Sequence, residues 1–214
     1  APSKKEYTSY ELYPVRTGSL TEMKYSPDAT QFTLWSPTAD EVRLMLYDAG
    51  DGGHAYETVA MSPAENGTWT AKVEQDLKGK FYTFNVKIDG KWLGDTPGIN
   101  AHAVGVNGKR AAIIDMRETD PEGWEEDQRP PLASPADVII YEVHHRDFSV
   151  DPSSGIKNKG KFLAMTETGT VSPDKLATGI DHLKELGVTH VHILPSYDYA
   201  SVDETKLDEN KYNW

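Results

Sequence analysis

Cysteine is absent from the 214 residues. That excludes a disulfide framework, a thiol nucleophile and any zinc site built on thiolates, and it leaves the compartment undecided. No apolar run comes near the ~20 residues that a membrane-spanning helix needs. The opening Ala1-Pro-Ser-Lys-Lys5 carries no visible signal peptide. Positive charge is in the minority: 22 Lys and Arg stand against 34 Asp and Glu, a net charge of −12. That charge argues against nucleic acid as a partner, because its phosphates require clustered Lys and Arg. It argues equally against an anionic membrane surface. Such a charge suits a neutral ligand, a sugar for example, or simply solubility. What the chain does have is aromatic residues, 11 Tyr and 5 Trp. These rings serve as stacking platforms for sugars and as fillers of β-rich cores, and the core use is preferred here.

From Tyr25 to Met116 every local signal is β. Gln31–Ser36 and Glu41–Tyr47 alternate, with Phe32 and Leu34, then Val42, Leu44 and Leu46, on the inward side. Phe81–Ile88 is the strongest strand. Asn66-Gly67, Asp89-Gly90 and Asn107-Gly108 are hairpin turns, the last leading into a strand over Lys109–Asp115. Asn66-Gly67-Thr68 also matches a glycosylation sequon, which the turn explains. Short alternating strands at this spacing predict an antiparallel, immunoglobulin-like β-sandwich over 25–116, preceded by a lead-in over 1–24 that adds an edge strand.

Residues 117–136 are acidic, then proline-rich, and read as a stiff linker. Val138-Ile-Ile-Tyr141 then suits a strand buried on both faces, and Glu142 to Asp147 bring charge to its C-terminal half. A strand of that kind fits the first position of a (β/α)8 barrel, whose strand ends face the active surface. A long loop over 150–171 follows. Ser172 as N-cap, Pro173 at the first position and Gly187 as C-cap delimit a helix with Leu176, Ile180, Leu183 and Leu186 on one face. Val188–Pro195 is the second strand. Strand, helix, strand predicts a parallel βαβ unit over 137–214. Two strands cannot close a barrel, so the chain reads as the N-terminal piece of a longer protein. His144 and His145, as neighbours on a strand, point to opposite faces and cannot chelate one ion. His190 and His192 share a face, but two His are a weak metal signal.

Several phrases resemble known families. Phe32-Thr-Leu-Trp-Ser-Pro-Thr-Ala39, Val42-Arg-Leu-Met-Leu-Tyr-Asp48, Gly67-Thr-Trp69, Gly79-Lys-Phe-Tyr82 and Asp95-Thr-Pro97 resemble carbohydrate-binding module family 48. Ile140-Tyr-Glu-Val-His-His-Arg-Asp-Phe-Ser149, Gly187-Val-Thr-His-Val-His-Ile-Leu-Pro195, Ser196-Tyr-Asp-Tyr-Ala-Ser-Val-Asp-Glu204 and Tyr212-Asn-Trp214 resemble the type I pullulanases of the α-amylase clan. The resemblance implies debranching of α-1,6-glucosidic bonds with retention, and no cofactor; calcium is not indicated. It implies α-glucan partners (pullulan, limit dextrin, glycogen) and a C-terminal catalytic polypeptide. The catalytic carboxylates of that family lie on later barrel strands, so no catalytic residue is assigned in this chain, and the chain alone is expected to be inactive. A glucan-branching enzyme and a non-catalytic glucan-binding module remain as alternatives.

Four residues are expected at substrate. Ile88-Asp-Gly-Lys-Trp92 resembles the glycogen-binding phrase of family 48 modules, which makes Trp92 a stacking platform; a sugar-binding Lys of that family falls on Asn85 here. Asp198 is expected to line the site, and Tyr212 and Trp214 to form one wall of it. Trp35 and Trp69 read as core or interface residues. The compartment stays open, with an extracytoplasmic location favoured.

Overall fold

The computed structural model describes residues 7, 9–194, 196–197 and 202–209. The chain divides into two units, one of residues 1–124 with 201–214 and one of residues 125–200.

Among the described residues the first unit is built on nine short strands: β1 (Met23–Lys24), β2 (Thr30–Trp35), β3 (Glu41–Tyr47), β4 (Glu57–Ala60), β5 (Ser62–Pro63), β6 (Thr68–Val73), β7 (Phe81–Ile88), β8 (Lys91–Trp92) and β9 (Ala111–Ala112). They form two antiparallel sheets. One has the order β1-β2-β6-β5; the other has the order β4-β3-β7-β8, with β9 also on β7. The period of two explains the core. Phe32 and Leu34 from β2 and Ala71 and Val73 from β6 meet Val42, Leu44 and Leu46 from β3 and Tyr82, Phe84 and Val86 from β7. Tyr82 stands edge-on to Phe32 at 5.0 Å and to Phe84 at 5.4 Å between ring centroids. Each such fully buried side chain contributes about 1.5–3 kcal/mol, and each aromatic pair about 0.5–1.5 kcal/mol more.

The hairpin expectations hold at the backbone. Asn66 and Gly67, Asp89 and Gly90, and Asn107 and Gly108 all have positive φ, between 50° and 74°, as a two-residue type I′ turn demands. The lead-in does supply an edge strand, β1, paired with β2. The strand expected over Lys109–Asp115 is only Ala111–Ala112. The physical reason is a shared edge. Along β7, β9 takes Phe81 and Tyr82, Thr96 bridges to Phe84, and β8 takes Lys87 and Ile88. Trp69 packs on the core and donates Nε1–H to the Ser36 carbonyl at 3.0 Å; Trp35 donates to the Asn66 carbonyl at 3.1 Å.

One buried charge belongs to this unit. Glu22, just before β1, is 1% exposed. Its Oε2 accepts from the Asn100 amide at 2.9 Å, while Oε1 has no partner among the described residues. Burial pushes its carboxyl above the ordinary carboxylate range.

In the second unit β10 (Ile140–His144), α1 (Gly179–Glu185) and β11 (His190–Leu194) follow in order. β10 and β11 are parallel, in register from Ile140 opposite His190 to His144 opposite Leu194. Three expectations are corrected here. The helix begins at Gly179 rather than after Ser172. Residues 172–176 instead close a tight turn: Ser172 N donates to the Leu176 carbonyl, Lys175 takes φ 62°, and Val171 bridges to Ala177. Leu176 is consequently exposed, and of the four residues predicted on that face Leu183 is the buried one. Secondly, Ile139, Ile140 and Tyr141 are exposed rather than buried on both faces. Among the described residues β10 has one sheet neighbour, β11, and an open cleft of about 860 Å³ separates β10 from α1. Thirdly, the rings of His144 and His145 do not diverge. The strand ends at His144 and the chain turns, so the two rings stack at 5.2 Å, and Phe162 stacks on His145 at 4.2 Å.

The 150–171 loop is internally bonded rather than structureless. Glu167 accepts from the amides of Lys157 and Asn158, and Lys159 reaches the Asp151 carbonyl and the Ser154 hydroxyl. Gly155, at φ 70°, lies so close to the Val171 carbonyl that a Cβ there would collide with it.

Candidate functional site

Alternation that sends apolar residues inward sends Arg43, Met45 and Tyr47 of β3 and Phe81, Thr83, Asn85 and Lys87 of β7 to the outer face of the five-stranded sheet. The register sets Arg43 beside Asn85 and Met45 beside Thr83. The Asp89-Gly90 turn then folds β8 back so that Trp92 lies opposite Lys87. Trp92 is thus brought onto the same outer face.

Its ring is not bare. The Arg43 guanidinium lies 3.9 Å from the indole centroid and the Lys87 ammonium 5.5 Å from it. At a surface a contact of this kind is worth about 0.5–1 kcal/mol. A sugar stacking on the guanidinium-covered face must displace that much. Lys87 is also held by Glu41. Asn85 spends its amide protons locally, on the Leu93 carbonyl at 2.9 Å and on Asp95 Oδ1 at 2.6 Å. Asp95 Oδ2 in turn accepts from the Tyr47 hydroxyl at 3.0 Å, and that hydroxyl sits 3.1 Å from the Thr83 hydroxyl. Burial pushes the Tyr47 phenol up, and Arg110 caps its ring at 3.7 Å. The face is therefore a pre-ordered polar network with one indole at its edge. It offers the indole of Trp92 as a stacking surface.

Of the residues expected at substrate, the structure places Trp92 on this face. Asp198, Tyr212 and Trp214 lie outside the described residues. The sequence reading missed Arg43 as the neighbour of Trp92. Only the outward parity of Arg43 was visible in the alternation of β3; its place beside Trp92 follows from the register, in which Lys87 lies opposite both Glu41 and Trp92.

In the second unit, Glu142 and His192 face each other across the parallel pair, Oε2 to Nδ1, at 3.0 Å. Both are well exposed, so the pair contributes little to stability. His190 is turned to the Thr189 hydroxyl at 2.9 Å. Among the described residues no three His, Asp or Glu side chains are grouped as a metal site would need.

Residues 21–99 match the family profile of carbohydrate-binding module 48 (isoamylase N-terminal domain). The pullulanase of Bacillus subtilis (strain 168) is 38% identical over 191 residues, 89% of this chain and 25% of that protein. The crystal structure of apo pullulanase from Paenibacillus barengoltzii superposes with a TM-score of 0.88 and 51% identity, over 95% of this chain and 31% of that one. The same enzyme in complex with maltohexaose and alpha-cyclodextrin gives a TM-score of 0.87 at 50% identity, over 95% of this chain and 31% of that one. The chain thus spans a quarter to a third of the length of these relatives. Residues 21–99 thus carry the likeness to carbohydrate-binding module 48, and along most of its length the chain matches the N-terminal region of the pullulanases.

Proposed function

We propose that this chain is the N-terminal part of a pullulanase-type debranching hydrolase. The sandwich over 25–116 is its α-glucan-binding module, 117–136 connects, and β10, α1 and β11 open a (β/α)8 barrel within 137–214. The observation that carries this reading is the extent of the likeness. It runs through 89% of the chain in the Bacillus subtilis pullulanase and 95% in the Paenibacillus barengoltzii structure, well past residue 99, where the family 48 match ends. A lone glucan-binding module would not need the parallel pair. The maltohexaose and alpha-cyclodextrin of that enzyme's complex support an α-glucan as ligand. In this reading the ligand stacks on Trp92, and Asp198, Tyr212 and Trp214 contribute to the sugar site of the completed barrel.

Retaining glycoside hydrolysis needs two carboxyl groups about 5–5.5 Å apart on either side of the scissile bond. In this reading they belong to later barrel strands and to the C-terminal catalytic polypeptide. The test is reducing-sugar release from pullulan by this chain, by the polypeptide that completes the barrel, and by the two co-expressed. Activity is expected from the co-expressed pair alone. Hydrolysis by the 214-residue chain on its own, or none from the pair, would overturn the reading.

A further inference from the structure

Asn107 does more than turn the chain. Its backbone amide donates to Glu204 Oε2 at 2.6 Å, its side-chain Nδ2 donates to Asp203 Oδ1 at 3.1 Å, and its Oδ1 accepts from the Glu204 amide at 2.8 Å. The two segments are 96 and 97 residues apart in sequence and lie in the same compact unit. The 203–206 side is itself pre-ordered. Asp203 Oδ1 accepts from the amide and hydroxyl of Thr205, and Oδ2 pairs with the Lys206 ammonium at 2.8 Å. The carboxyl is accordingly held well below the usual range, chiefly by Lys206 and Thr205 and then by Asn107.

A type I′ turn requires only a residue that tolerates positive φ, and glycine or aspartate would satisfy it. What the site uses in addition is a carboxamide, which offers a donor and an acceptor on one planar group. The donor meets a carboxylate and the acceptor meets a backbone N–H, so the chemistry of Asn107 matches both partners where glycine or aspartate would not.

We propose that Asn107 is a docking residue through which the sandwich holds the 203–206 segment. The module then has a scaffold role besides sugar binding. It anchors the stretch that ends six residues before Tyr212. That this stretch leads to a sugar-facing wall rests on the function proposed above; the docking itself does not.

Amide hydrogen exchange on the full 214-residue chain tests it. Asn107→Gly keeps the turn and removes both side-chain bonds. The Glu204 amide is expected to exchange about five- to tenfold faster, as the loss of a bond worth about 1 kcal/mol implies, with the amides of β7 unchanged. Asn107→Asp keeps the acceptor but sets a carboxylate against Asp203. It is expected to behave like Asn107→Gly at pH 7 and to recover protection at Glu204 near pH 4, where the new carboxyl takes up a proton. Equal Glu204 exchange in wild type and Asn107→Gly would overturn the proposal. So would faster exchange spread evenly through β2, β6 and β7, which would mean that the turn had failed rather than the dock. Sugar plays no part in this measurement, so its failure is separable from failure of the glucan reading.

Discussion

Trp92 shows how much one residue's role depends on neighbours distant in sequence. An indole at the end of a hairpin is a stacking surface only on the faces left open, and Arg43 lies 3.9 Å from this one. The sheet still presents Trp92 outward, half-buried, on a rigid strand pair, which lowers the ordering cost of binding. Trp92→Ala is therefore expected to weaken binding of β-cyclodextrin to the chain by ~1 kcal/mol or more, as loss of an aromatic anchor does. Isothermal titration of wild type and variant checks this. Wild type showing no binding at millimolar sugar would leave the module a purely structural role.

Among the elements, the edge of the first sheet is the place where stability and pH meet. Glu22 pins the loop carrying Gly98 and Asn100 onto the start of β1: its carboxylate receives the Asn100 amide and packs against Gly98. His102 and the Tyr82 phenol are the titratable groups that it feels. Because burial raises its folded value, the native state holds the Glu22 proton more tightly than the unfolded chain does. The stability that the proton contributes is fully present below the ordinary carboxylate value and is lost as pH rises through the raised one. Glu22→Gln, which stays neutral, is expected to melt higher than wild type at pH 7, with the gap closing toward pH 4. Thermal melts at the two pH values check it, and a gap that widened on acidification would contradict the assignment. The same scale shows where pattern reading misleads. The spacing of Leu176, Ile180, Leu183 and Leu186 is helical throughout, yet Lys175 at φ 62° and the Val171–Ala177 bridge delay the start of the helix to Gly179. Local turn bonds outcompeted a good periodic face.

At the scale of the whole molecule, the two units bury their apolar residues unequally. The sandwich encloses Phe32, Leu44, Leu46 and Phe84 completely, each at 0% exposure. In the other unit Ile139, Ile140, Tyr141 and Leu194 remain exposed along the parallel pair. Apolar strand residues and open strand edges of this kind invite pairing with further chain. Residues 137–214 expressed alone are therefore expected to bind a hydrophobic dye and to show no cooperative melting transition. A soluble, dye-free segment with a sharp transition would contradict the proposed barrel.

What the sequence by itself determined is the sandwich. Strand period, three turn dipeptides and the inward residues are local properties. They carried through to β2, β3 and β7 with their boundaries nearly unchanged, because an alternating strand has only one face it can bury. The likeness to family 48 modules and pullulanases was legible for the same reason, in short ordered phrases. What only the tertiary structure decided are the pairings between separate segments and at strand ends. These include Arg43 on Trp92, Asn85 turned to Asp95, the rings of His144, His145 and Phe162 in one stack, and Asn107 bonded to Asp203 and Glu204. Each depends on which strand lies beside which and where a strand stops, and no periodicity within a single segment carries that information.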